Sequence, residues 1–283
     1  VTRAFVQSCQ ELGMPFNHDF NGPEQAGCGT YQITTRNGRR CSAAAGYLTP
    51  VRKRPNLTVE TGCAVRRILF EGPRATGVEY FTGKERRIVR AGSEVLVTSG
   101  AIGTPKLMML SGVGPADHLR GHGIEVVQDL PGVGENLTDH FGIDIVAELK
   151  GHDSLDKYNR PHWALWAGLQ YVLFRSGPVT SNVVEGGAFW FADGAGAPLG
   201  PTGASVSTLS SYTLRPTCRG TVRLRSADPD APARVDPNFL AEPEDLKCSV
   251  EGVRISREIF SQPSLQKYVK SIRFPDGSVK SQA

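Results

Sequence analysis

Two hydrophobic rhythms alternate along the chain. Near its start Phe5, Cys9 and Leu12 recur at helical spacing, and Gly13 with Pro15 closes the pattern. A loop rich in Asn, Gly and Asp follows, from Asn17 to Gly29. Beyond residue 56 the rhythm shortens. The runs LTVETG, AVRRILFEG, RATGVEYF, RRIVRAG and EVLVTSG carry the β-branched and aromatic residues of strands, with Gly72-Pro73 and Thr82-Gly83-Lys84 as turns between them. EVLVTS is apolar without interruption in its middle, which predicts a strand covered on both faces.

That strand empties into SGAIGTPKLMMLSGVG, residues 99–114. The pattern predicts a helix with Thr104 as N-cap, Pro105 at the first helical position, Leu107 to Leu110 as body and Gly112 as C-terminal cap. After His140 the texture changes. FGIDIVAELKG reads as a strand, and WALWAGLQYVLF (163–174) as a buried helix stopped by Gly177 and Pro178. EGGAFWFADG, ASVSTLSSYTL and RGTVRLRSADPDAP read as further strands, the last ending in a Pro/Asp-rich turn. Pro243 opens a final amphipathic helix with Leu246, Val250, Val253 and Phe260 on one face. No internal repeat is evident. The predicted class is α+β: one region on a buried strand and glycine turn, a second dominated by antiparallel strands.

Composition narrows the function. At 283 residues the chain is long enough for one large or two ordinary domains. A net charge of +4, from 32 basic and 28 acidic residues, is too even to argue for nucleic acid. The basic spots Arg52-Lys53-Arg54 and Arg86-Arg87 are short and mixed with acids, as on a solvated face. The six cysteines, at 9, 28, 41, 63, 218 and 248, form no CxxC pair and no zinc spacing, so reduced thiols and a cytoplasmic setting are expected. No apolar run approaches the ~20 residues of a membrane span. The chain opens on Val1 rather than Met, which suggests a fragment.

Three features bear on chemistry. Residues 95–112 would place free helix N–H groups and side-chain-free backbone where an anionic cofactor can approach, although an ordinary tight turn explains the same letters and the frame is not GxGxxG. LPGVGENLTDH ends in Asp139 and His140, either half of an acid–base set or, more commonly, a loop capped by local backbone bonds. The other histidines are scattered, and Ser111 stands in SGVG rather than in a nucleophile elbow, so no catalytic triad is formed.

GAIGTPKLMMLSGVG resembles the second signature of the glucose–methanol–choline (GMC) family of flavin oxidoreductases, through Gly100, Ala101, Thr104, Pro105, Leu107-Met108 and Ser111-Gly112-Val113-Gly114. NGRRCSAAAGYLTPVRKRPNLTV, ATGVEY, DLPGVGENLTDH, RGTVRLRSADPDAP and DPNFL are similar to further family blocks, in family order. EGGAF and REIFSQPSLQKY resemble the choline-dehydrogenase-like branch.

The resemblance implies an α/β flavin-binding domain plus an antiparallel-sheet substrate domain, with 1–30 as substrate-domain helix and loop, 31–140 in the FAD-binding part and 141–283 in the substrate part. It implies FAD as cofactor, a small-molecule alcohol as substrate, and oxygen or another acceptor for the electrons. The alcohol carbon would be oxidised to an aldehyde or ketone, its hydride passing to the flavin N5. The carried-over cofactor contacts are the Val65 backbone at the adenine, the Ser99-Gly100-Ala101 turn beside the flavin, and His140 near it. No catalytic residue and no metal ligand is carried over. The family's GxGxxG turn and its catalytic histidine block match nothing in this chain, which therefore looks like the middle of such an enzyme. A hydroxynitrile-type lyase and an inactive flavin-fold remnant remain the alternatives.

Overall fold

A computed structural model describes residues 1–150, 155–181, 184–191, 198–204 and 208–274. In chain order the main elements are α1 (Thr2–Glu11), β1 (Gly27–Thr30), β2 (Cys63–Glu71), β3 (Arg74–Thr82), β4 (Glu85–Arg90), α2 (Gly100–Leu110), α3 (Ala116–Gly121), β5 (Gly142–Leu149), α4 (Pro161–Phe174), β6 (Val184–Phe191), β7 (Pro198–Ala204), β8 (Thr208–Thr213), β9 (Thr221–Arg223), β10 (Arg234–Asp236), α5 (Pro243–Ser261), α6 (Pro263–Gln266) and β11 (Val269–Phe274). They fall into two compact units. The first comprises Val1–Lys53, His140–Pro216 and Pro243–Ala283, and the second Arg54–Asp139 and Thr217–Glu242. The outline differs from the sequence expectation: residues 31–53 cluster with the first unit, and 217–242 cross over to the second.

The first unit is built on a six-stranded sheet, in the order β1-β6-β7-β8-β5-β11, antiparallel at every pairing. α1 and α5 pack on it. Its core gathers Phe5 and Cys9 from α1, Cys28 from β1, Ile145 and Ala147 from β5, Leu209 from β8, and Ile259 and Phe260 from α5. Burying each large aliphatic or aromatic side chain of that set contributes about 1.5–3 kcal/mol. The helix at the start of the chain and the strands of FGIDIVAELKG, EGGAFWFADG and ASVSTLSSYTL are found where the patterns put them. Residues 192–194 and 205–207 of those runs lie outside the described residues.

Two helices of this unit depart from their patterns. α5 turns Asp245, Ser249, Gly252, Ser256, Ile259 and Phe260 inward and leaves Leu246 and Val250 exposed. Small residues let the helix backbone approach the sheet closely, so packing overrides the larger apolar side chains. α4 is not buried: Ala167 alone of its residues is fully covered.

The second unit begins with a meander, β2-β3-β4, antiparallel throughout. α2 packs on β2, and Met109, Leu119, Ile124 and Leu224 form a second core between α2, α3, the following loop and the β9 hairpin. Two predicted strands are absent. LTVETG has no strand, and EVLVTS runs without a ladder partner among the described residues, with Leu96 78% exposed. An apolar run becomes a buried strand only beside a neighbour that supplies ladder bonds and cover, and no described strand runs beside this one.

Candidate functional site

EVLVTS delivers the chain to α2, which starts earlier than its letters suggest. Ser99 is the N-cap, Gly100 the first helical residue, and Pro105 lies inside the helix rather than at its first position, so Thr104 is no cap. The end matches expectation: the Gly112 N–H reaches the Met109 carbonyl, and Gly112 adopts φ +87°.

The N-terminus of α2 is open. The first four N–H groups of a helix have no intrahelical partner, and the Ser99 side chain makes no capping bond. Gly100 takes φ +78°, and a Cβ built there would have no neighbour within 4 Å. Ser99, Gly100, Ala101 and Ile102 are all exposed, as are Leu96 on the approach and Val65 on β2. Backbone donors, helix dipole and bare apolar side chains thus belong to one packed assembly of α2 and β2. Such a surface suits an anionic ligand with flat apolar parts.

The assembly is held from behind. Ser111, buried at the end of α2, accepts a hydrogen bond from the Ile68 N–H at 2.9 Å. Lys106 donates to the Pro229 carbonyl at 2.8 Å. Arg66 pairs with Asp230 and lies 5.8 Å over the Phe81 ring. That guanidinium holds the Asp230 carboxyl below its usual range. Beside Val65, its cross-strand partner Tyr80 donates to Glu60 at 2.8 Å. The Glu60 carboxylate raises the Tyr80 pKa, because it favours the protonated phenol.

Of the sequence-predicted contacts, Val65, Ser99, Gly100 and Ala101 fall in the second unit. His140 does not: the division between the units falls between Asp139 and His140, both exposed. Lys106, read as a surface charge, is instead tied to the 217–242 segment. Sequence reasoning placed Ser111 in the family signature without its tethering role and missed Arg66 and Asp230; these partners lie 43 and 164 positions apart. The only local trace was the SADPDAP turn, in which the Asp230 N–H donates to Asp228. All six cysteines are free, and no cluster of metal-ligating side chains occurs among the described residues. No helix among them is long and apolar enough to cross a membrane.

Two family models, both described as GMC oxidoreductase, match residues 1–142 and 216–283. An alcohol dehydrogenase [acceptor] of Pseudomonas putida is 36% identical over 99% of this chain and 54% of its own length. The mitochondrial choline dehydrogenase of Mus musculus is 36% identical over 94% of this chain and 47% of its own. An FAD-dependent oxidoreductase from Chaetomium thermophilum superposes with a TM-score of 0.87 at 25% identity, covering 98% of this chain and 57% of that one. A formate oxidase does so with a TM-score of 0.87 at 25% identity, over 96% of this chain and 55% of that one. The chain spans about half the length of these relatives, and it belongs to the GMC oxidoreductase family.

Proposed function

We propose that this chain forms part of an FAD-dependent oxidoreductase acting on the CH–OH group of a small-molecule alcohol. The observation that carries the reading is the open N-terminus of α2, where Gly100 at φ +78° leaves room for a ligand against the main chain. FAD, when bound, supplies the hydride acceptor.

The chain's own residues would bind and orient. The N–H groups of Gly100 and Ala101, unpaired within the helix, would donate to polar edges of the cofactor, and the positive end of the α2 dipole would favour negative charge there. The Val65 main chain would line the adenine, held by pairing of β2 with β3. Ile102 and Leu96, both exposed, would be covered by the cofactor's apolar faces and exclude water from them. Ser111 and Lys106 would fix α2 against β2 and the 217–242 segment. The unit of residues 54–139 and 217–242 would serve the cofactor, and the unit of 1–53, 140–216 and 243–283 the substrate. Oxygen or another acceptor would take the electrons, and the protein would work in the cytoplasm.

The test is anaerobic. The complete protein, purified with its flavin, is offered a panel of primary alcohols, choline among them. Loss of the flavin's visible absorbance supports the reading, and an unchanged spectrum across the panel overturns it.

A further inference from the structure

α4 is the most exposed apolar element among the described residues. Leu165, Trp166, Leu169, Val172 and Leu173 are between 46 and 67% exposed. At 100° per residue they fall within an arc of about 120°, one continuous apolar stripe. Among the described elements α4 packs mainly on the two 3-10 turns that flank it, Leu155–Asn159 and Pro178–Thr180. A stripe this size on a water-facing helix implies a partner.

The charges around the stripe say which. From Lys157 to Val184 the sequence carries Lys157, Arg160 and Arg175 and no Asp or Glu, with Asp156 just before the stretch and Glu185 just after it. A short hairpin, Thr35–Arg36 with Arg39–Arg40, adds to them. Its turn residues Asn37 and Gly38 both have positive φ, the geometry of a tight two-residue turn. A Cβ at Gly38 would run into the Arg175 carbonyl, so the hairpin tip sits against the C-cap of α4. Exposed Arg36, Arg39 and Arg40 thereby join Arg175 at that end of the helix. Among the described residues none of these four arginines has a carboxylate partner.

We infer that α4 and its arginine rim form a docking face for an anionic lipid bilayer, with the helix lying in the interface plane. A stripe of leucine, valine and tryptophan flanked by basic side chains is the composition such helices use. Trp166 matches the preference of indole for the headgroup level. The 14 residues of α4 reach about 21 Å, short of the ~30 Å hydrocarbon core, so the helix rests on the membrane and does not cross it. A second copy of the chain fits less well. A two-fold contact over the same stripe would bring the same four arginines of each copy together, and they outnumber the carboxylates at the ends of the segment, Asp156 and Glu185.

The experiment uses the complete protein and extruded vesicles of phosphatidylcholine, alone or mixed with phosphatidylglycerol. The expected result is co-sedimentation with the mixed vesicles, weakened by added salt, since the Debye length shrinks to ~10 Å at 0.1 M. The double variant L169E/V172E should lower the partition coefficient at least ten-fold. Each of Arg36→Gln, Arg39→Gln and Arg40→Gln should lower it about five-fold on mixed vesicles only. Brominated acyl chains should quench the parent's tryptophan fluorescence and quench Trp166→Phe much less, which tests the face even if the glutamate variant fails to fold. Absence of binding to mixed vesicles, or binding that L169E/V172E leaves intact, overturns the inference. So does a concentration-dependent dimer that the same variant disperses without any lipid binding, which would give the stripe to a second copy.

Discussion

Ser111 Oγ accepts the Ile68 N–H at 2.9 Å and donates its own proton to the Leu107 carbonyl at 2.6 Å. One buried hydroxyl therefore closes the last turn of α2 and satisfies the outward edge of β2, whose other edge pairs with β3. Ser111→Ala leaves the Ile68 N–H buried without a partner. The expected loss is about 1–3 kcal/mol of stability. Urea unfolding with an unchanged m-value checks it, and an unshifted midpoint would show that water replaces the hydroxyl.

Gly100 carries the cofactor reading. An L-residue at φ +78° is strained by roughly 1–2 kcal/mol, and its side chain would enter the open space against the backbone. In the complete protein Gly100→Val should lower bound flavin severely. Lys106→Ala is a poor control because Lys106 holds the Pro229 carbonyl. Lys84→Ala, in the exposed β3-β4 turn, is the better one and should keep full flavin content. Equal flavin in the two variants would make the turn a mere connector.

Legibility followed locality. α1, the β2-β3-β4 meander and the Gly112 cap were readable because spacing and turn residues act within a few positions. EVLVTS was read as a covered strand because its letters report apolar demand, not whether a neighbour meets it. The same blindness turned α4, apolar nearly all round, into a buried helix, and chose Leu246 and Val250 over Ser249, Gly252 and Ser256 for the inner face of α5. Of the candidate site, the glycine turn was visible in sequence. The Ser111, Lys106 and Arg66 tethers were not, since each is made by chain far away.

The thiols report burial in both units. Cys9 and Cys28 are fully buried, and Cys218 nearly so, whereas Cys41, Cys63 and Cys248 are partly exposed. The hydrogen bond to Cys28 and then burial hold the Cys9 proton, raising its pKa. In native chain a disulfide reagent should titrate Cys41, Cys63 and Cys248 quickly. The remaining three should react only with unfolding, at a rate that follows denaturant. Rapid reaction of all six would contradict the burial.

His118 should make the second unit acid-sensitive. Its Nε2 accepts the Leu224 N–H at 3.1 Å, an arrangement open only to the neutral ring. Burial first, then the His122 and Arg223 charges, lower its pKa below the ordinary ~6.5. In the window just below that value the unfolded chain binds a proton that the folded one refuses. The His118 contribution is therefore complete above pH ~6.5 and is lost as pH falls through the lower folded pKa. His118→Gln keeps an acceptor for Leu224 and has nothing to titrate, so its stability should vary less across that window. His118→Ala removes the acceptor of the Leu224 N–H and should cost about 1–3 kcal/mol above pH ~6.5, the deficit shrinking as pH falls and the parent loses the same bond. Unfolding free energies of the three proteins measured from pH 5 to 8 decide the matter, since parallel curves for parent and His118→Gln would remove His118 as the acid-sensitive group.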